Sequence, residues 1–218
     1  MDIKIIRVLC VFSMIAACAG CAGTAQNTSR PVIEKIEKLS QENQELTRAK
    51  ALLEERLSQE INDKQVKLKM MEKGLVISFV ADILFDSGKA KLRPESYLAL
   101  DKVAGVLTET VLQSKVGIEG YTDDQPIKYS SWKSNWELSA ARALGILHYL
   151  IDKGGIEPSR FSVSAFGEYQ PVAANGTKEG NQLNRRVEIV ILPDLSKDRK
   201  GMQPDTKTLS GQPAESFK

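Results

Sequence analysis

From Val32 to Lys73 apolar residues recur at helical spacing with no Gly or Pro to interrupt them. With Ile36, Asn43, Lys50 and Leu57 at heptad position a, residues Val32, Leu39, Leu46 and Leu53 fall at d, giving an apolar seam with charged flanks. A four-residue step from Leu57 to Ile61 shifts the phase, and Ile61, Leu68 and Met71 continue the seam. Such a stutter changes the supercoil locally without ending the helix. The pattern predicts a coiled-coil helix over 32–73, about 60 Å long at about 1.5 Å per residue. Asn43 and Lys50 at a positions weaken the seam while restricting register and oligomer number, which predicts a homo-oligomer, a parallel dimer or trimer. A single helix folded back on the following domain, or solvated, is the other reading of the same stripe.

After Gly74 the period changes. LVISFVADILF alternates and is rich in β-branched residues, predicting a strand from about Leu75 to Val80. RPESYLALDKVAGVLTETVLQ has helical spacing with Pro94 near its first turn, where a helix tolerates proline. KVGIEGYT predicts a second strand, and NWELSAARALGILHYLIDKGG a second helix closed by Gly154 and Gly155. RFSVSAF and RRVEIVIL complete the set as third and fourth strands. The order β-α-β-α-β-β predicts an α/β sandwich over 74–194, with a mixed four-stranded sheet behind two helices. Beyond Pro193, residues 195–218 lack periodicity and apolar content, the signature of a disordered tail.

The N-terminus carries a different signal. Lys4 and Arg7 precede an apolar run from Val8 to Ala17 that ends in small residues. A run of about ten is half of the roughly twenty that a spanning helix needs, so residues 1–17 read as a secretory signal peptide. Ile15-Ala16-Ala17-Cys18 resembles the bacterial lipobox, in which the cysteine becomes the lipid-modified N-terminus. Cys21 is the alternative, with a Cys where the aliphatic residue belongs. Residues 18–31 then form a lipidated flexible linker. Ala19, where many inner-membrane lipoproteins carry Asp, favours a lipid anchor in the outer membrane facing the periplasm. All three cysteines fall in the first 21 residues, so a disulfide scaffold is not expected. The formal charge of +2 gives no basic field of the kind nucleic-acid binders carry.

The chemistry concentrates in GYTDDQPIKYSSWKSNWELSAARA. The second strand runs into Thr122 and Asp123 at its C-terminal end, where α/β sheets keep their ligands. Arg142 lies in the first turns of the next helix, close to its N-terminus. A carboxylate and a guanidinium held apart at one rim complement an amino-acid head group, the acid receiving the ammonium and the Arg forking onto the carboxylate. A structural salt bridge between the two is the competing reading. Asp124 reads as a solvated acid rather than a metal ligand, because neighbours on extended chain diverge and no His adjoins it. His148 is the only histidine and no Cys lies in the domain, so nucleophilic catalysis lacks its parts and no enzyme is expected. Trp132 and Trp136 flank the helix start and either cover the pocket or pack on the first helix.

Five separated stretches, FDSGKAKL, GYTDD, NWELSAARA, GEYQPVAAN and EGNQLNRRVEIVI, in this order, resemble the OmpA-like peptidoglycan-binding domain. TDDQPI and SNWELSAARA are most similar to its MotB branch. The resemblance covers roughly Leu75 to Leu192 and implies noncovalent binding of meso-diaminopimelate in peptidoglycan stem peptides, with no cofactor or metal. By motif position Asp123 and Arg142 are its principal ligands, with Phe85, Asp86, Thr122, Leu138, Arg185 and Arg186 lining the rest. One of the two arginines is expected to face the ligand and the other solvent, since strand neighbours face opposite ways. Tyr121 stands where the family commonly has His, and Gln125 to Lys133 is longer than in the OmpA branch. Both departures are expected at the pocket rim, where they bear on affinity and on preference for amidated stems. The implied role is an outer-membrane lipoprotein that tethers the membrane or an envelope complex to the wall. A motor- or secretion-associated anchor is the alternative.

Overall fold

The computed structural model describes residues 26–127 and 131–193. The expectations for the signal peptide, for Cys18 and Cys21, for most of the linker and for the tail lie outside the described residues. Helix α1 spans Gln26–Arg56 and is followed by α2 (Ser58–Asn62), β1 (Val66–Met71), β2 (Gly74–Val80), α3 (Ala81–Leu84) and α4 (Tyr97–Glu109). The chain continues through β3 (Val116–Tyr121), α5 (Asn135–Asp152), β4 (Phe161–Gly167), α6 (Lys178–Asn184) and β5 (Arg186–Ile191).

The chain divides into two compact units between Gln44 and Glu45. In the first, α1 leaves Val32, Ile33, Ile36 and Leu39 exposed. In the second, the last turns of α1 bury Leu46, Ala49, Leu53 and Leu57 in the core of the domain itself. Arg56 donates to Glu109 at 2.6 Å and Lys102 to Glu60 at 2.6 Å, so this tail and α2 lie against α4. The heptad stripe is therefore divided between an exposed half and a half consumed by intramolecular packing.

The sheet is mixed, as expected, but has five strands in the order β1-β2-β5-β3-β4 rather than four. The neighbours are antiparallel except β3 and β4, which α5 connects as a parallel pair. The additional strand lies inside the stretch that the heptad reading assigned to a helix running to Lys73. The helical run instead ends at Asn62, and Lys64 turns the chain with φ +58°, a conformation usually given to Gly. Val66, Leu68 and Met70 then alternate with Lys67 and Lys69, and the shared Leu68 fits both periods.

Leu75, Ile77 and Phe79 of β2, Val116 and Ile118 of β3 and Val187, Ile189 and Ile191 of β5 share the inner face of the sheet. Against them pack Leu100, Val103 and Leu107 from α4 and Ala143, Ile146 and Leu150 from α5. The approach of α5 to β3 is close: a Cβ on Gly120 would stand 2.1 Å from the Ser139 carbonyl oxygen. Only glycine allows this packing, and it sets Arg142 of α5 beside the end of β3.

Candidate functional site

Three segments converge on a cleft of about 650 Å³ at the C-terminal end of β3. The first is the strand end itself, where Thr122 N donates to Gly167 O at 2.8 Å and Asp123 follows. The second is the start of α5. Ser134 caps it by accepting from Glu137 N, and the Glu137 carboxylate in turn accepts from Lys133 N at 2.8 Å. Asn135 ties these two segments together, donating to Gln125 O at 3.2 Å and Glu168 Oε2 at 2.5 Å. The third is the loop Phe85–Leu92, closed by a bridge between its end residues. Lys89 N returns to Asp86 O within it, Gly88 adopts φ +66°, and Trp132 Nε1 donates to Gly88 O at 2.9 Å.

Arg142 is 3% exposed and lies behind this loop, its Nε donating to Lys89 O at 3.0 Å and its Cζ 5.4 Å from the centre of the Phe85 ring. Its Nη1 is buried without a partner, as is the hydroxyl of Thr122, also 3% exposed. Burial pushes the Arg142 guanidinium down to about 10, so it remains charged at neutral pH. Two buried polar atoms without partners in one cleft are costly to leave unmatched, and acceptor oxygens of a ligand would match both.

Asp123 is 6% exposed and makes no ion pair with Arg142 among the described residues. Its Oδ2 accepts instead from Arg185 Nη1 at 2.7 Å. Arg185 also forks onto Asp82, with Nε to Oδ1 at 3.2 Å and Nη2 to Oδ2 at 2.9 Å. Asp86 stands at the exposed rim, where the hydrogen bond from Lys89 and its charge hold the carboxyl below the usual range.

Of the residues expected from sequence, Phe85, Asp86, Thr122, Asp123, Leu138, Arg142 and Arg185 all line the cleft. Arg186 does not. It is buried on the opposite face of the sheet, its Nε 2.8 Å from Glu188 Oε1 and its Cζ 3.7 Å from the centre of the Tyr121 ring. Alternation thus turns one arginine of the pair into the cleft, while the other enters a buried ion pair instead of solvent. Tyr121 follows it there, stacked on Phe166 and donating to Glu119 at 2.7 Å, so the departure from His does not touch the rim. Gln125 does line the cleft, Asp124 is exposed, and Trp136 is exposed and stacked on Tyr169. Sequence reasoning missed Asp82, which lies 103 residues from Arg185 and has no motif around it, only an acid interrupting an apolar run.

Residues 84–185 match the model of the OmpA family. Motility protein B of Bacillus subtilis (strain 168) is 38% identical over 152 residues, which cover 70% of this chain and 58% of that protein. The probable lipoprotein YiaD of Escherichia coli (strain K12) is 34% identical over 119 residues, 55% of this chain and 52% of that protein. The chain thus spans about half the length of the curated relatives it matches. Among solved structures, the cell wall anchor of the T6SS from Pseudomonas aeruginosa is 31% identical with a TM-score of 0.60, over 65% of this chain and 97% of that one.

Proposed function

Because the chain carries an OmpA family domain over residues 84–185, we propose that it binds peptidoglycan without catalysis and anchors an envelope structure to the wall. The ligand group is the free end of meso-diaminopimelate, whose second stereocentre bears an ammonium and a carboxylate outside the main peptide chain. Asp123 receives the ammonium, and the carboxylate accepts from Arg142 Nη1 and Thr122 Oγ1. The observation that carries this reading is the pair of buried, unpartnered atoms set beside a buried acid in one cleft. Phe85 and Leu138 supply its apolar wall, and Asp86 stands at its mouth.

The lipobox at Cys18, with Cys21 as alternative, supports attachment to the outer membrane through acyl chains, which hold stably where a single chain is marginal. The exposed stripe Val32, Ile36 and Leu39 supports self-association of the N-terminal helix. Several copies would then multiply weak single-site binding by effective concentration. A second reading, a wall anchor serving a motor or secretion machine, is favoured by the 38% identity to Motility protein B and the 31% identity to the T6SS anchor.

Sedimentation with purified sacculi tests the binding claim. Diaminopimelate-type wall is expected to retain the protein, lysine-type wall to release it, and Asp123→Ala and Arg142→Ala to abolish retention. Equal retention on both walls, or by both variants, would contradict it.

A further inference from the structure

Arg185 stands where an incoming ammonium has to go. One of its nitrogens donates to Asp123 at 2.7 Å, and the other two contacts fork onto Asp82 at 3.2 and 2.9 Å. The two acids differ in setting, with 44% of the Asp82 side chain exposed against 8% for Asp123. The two-point contact therefore lies at the wet edge of the cleft and the one-point contact inside it. A guanidinium matches a carboxylate best through two parallel bonds, so Asp82 is the residue that orients Arg185 and Asp123 the one that borrows it.

We propose that Arg185 is a built-in counter-ion of the ammonium subsite, positioned by Asp82, which a ligand's ammonium must displace from Asp123. This rests on the zwitterion reading above and deepens it. Exchanging one cation for another on Asp123 gains little by itself. Net affinity then comes from the second charge, the carboxylate that satisfies Arg142 Nη1 and Thr122 Oγ1. A group carrying only an amine, such as a lysine side chain or a polyamine, meets the displacement cost with no such return. The internal ion pair thereby sets a common cost that every amine meets, so that only a ligand whose second charge repays it binds appreciably, and Asp82 sets how firmly Arg185 stays on its own side.

The test uses a stem peptide containing diaminopimelate and the same peptide with lysine in its place, titrated by NMR into the wild type, Arg185→Gln and Asp82→Asn. Loss of the competing cation should tighten both peptides by a similar factor, about threefold or more, with the lysine peptide becoming clearly measurable. Asp82→Asn, which leaves Arg185 wholly to Asp123, should weaken both. If Arg185 instead binds the ligand's carboxylate, Arg185→Gln weakens the diaminopimelate peptide alone, and the inference falls. Unchanged affinities, or weakening of both peptides by Arg185→Gln, overturn it as well. Should Arg185→Gln fail to fold, Asp82→Asn at a half-exposed position decides: equal or tighter binding rejects the proposal. A wild type that binds neither peptide, or an Asp123→Ala variant that binds as well as the wild type, would reject the zwitterion reading itself. Selective wild-type binding without tightening in Arg185→Gln would reject only this inference.

Discussion

Arg142 is charged in a place where its charge is costly. Burial lowers its pKa from the ordinary guanidinium range to about 10. Because the folded state binds that proton less well than the unfolded chain, the group opposes folding at every pH below about 10, and the opposition fades as pH rises from there toward the ordinary guanidinium range. The shift corresponds to about 3 kcal/mol at neutral pH. Arg142→Met, which keeps the stem and removes the charge, should therefore raise the unfolding free energy by about 1–3 kcal/mol in urea titration while abolishing wall binding, the trade expected at a functional site. Thr122→Val removes the other unmatched atom at nearly constant shape. It should leave stability unchanged or slightly higher and weaken stem-peptide binding by about three- to tenfold, the worth of one hydrogen bond, in calorimetric titration. At this scale Asp123, Thr122 and Arg142 were legible because residue type and position at a strand end and a helix start suffice to place them. Which arginine of the pair faces the cleft, and that Asp82 completes it, depend on register across strands and on a contact between residues about a hundred positions apart.

The elements of the sandwich were legible where one period ran without competition. β2 to β5, α4 and α5 appear within a few residues of their predicted bounds. β1 was not legible, since a six-residue alternation embedded in a charged helical pattern has no breaker in front of it and Lys64 takes a conformation for which its residue type gives no cue. Nor did periodicity distinguish a stripe that meets another chain from one that meets its own domain. The structure assigns the second role to Leu46, Ala49, Leu53 and Leu57. Leu53→Ala should accordingly destabilise the domain by about 2–5 kcal/mol in urea unfolding, although Leu53 lies outside residues 84–185. A helix tail dispensable to the fold would leave the midpoint unmoved. Gly120→Ala acts on the same principle: the new methyl group meets the Ser139 carbonyl, pushes α5 from β3 and shifts Arg142 out of its place in the cleft. Loss of both stability and wall binding is the expected outcome, read by thermal denaturation and sacculus sedimentation.

For the whole molecule the proposal joins two attachments, a lipid at one end and a wall ligand at the other. No helix among the described residues is long and apolar enough to cross a membrane. Cells fed a fatty-acid analogue should label the wild type, and Cys18→Ser should remove the label and release the protein from membranes while its binding to sacculi persists. Retained label in Cys18→Ser but not in Cys21→Ser would move the anchor to Cys21. The claim on which the tether depends is local, and a crystal structure of the domain with a stem peptide containing diaminopimelate tests it most directly. The account predicts the free carboxylate of that residue within hydrogen-bond distance of both Arg142 Nη1 and Thr122 Oγ1, with its ammonium on Asp123. A peptide bound elsewhere, or bound here with those two atoms still unpartnered, would contradict it.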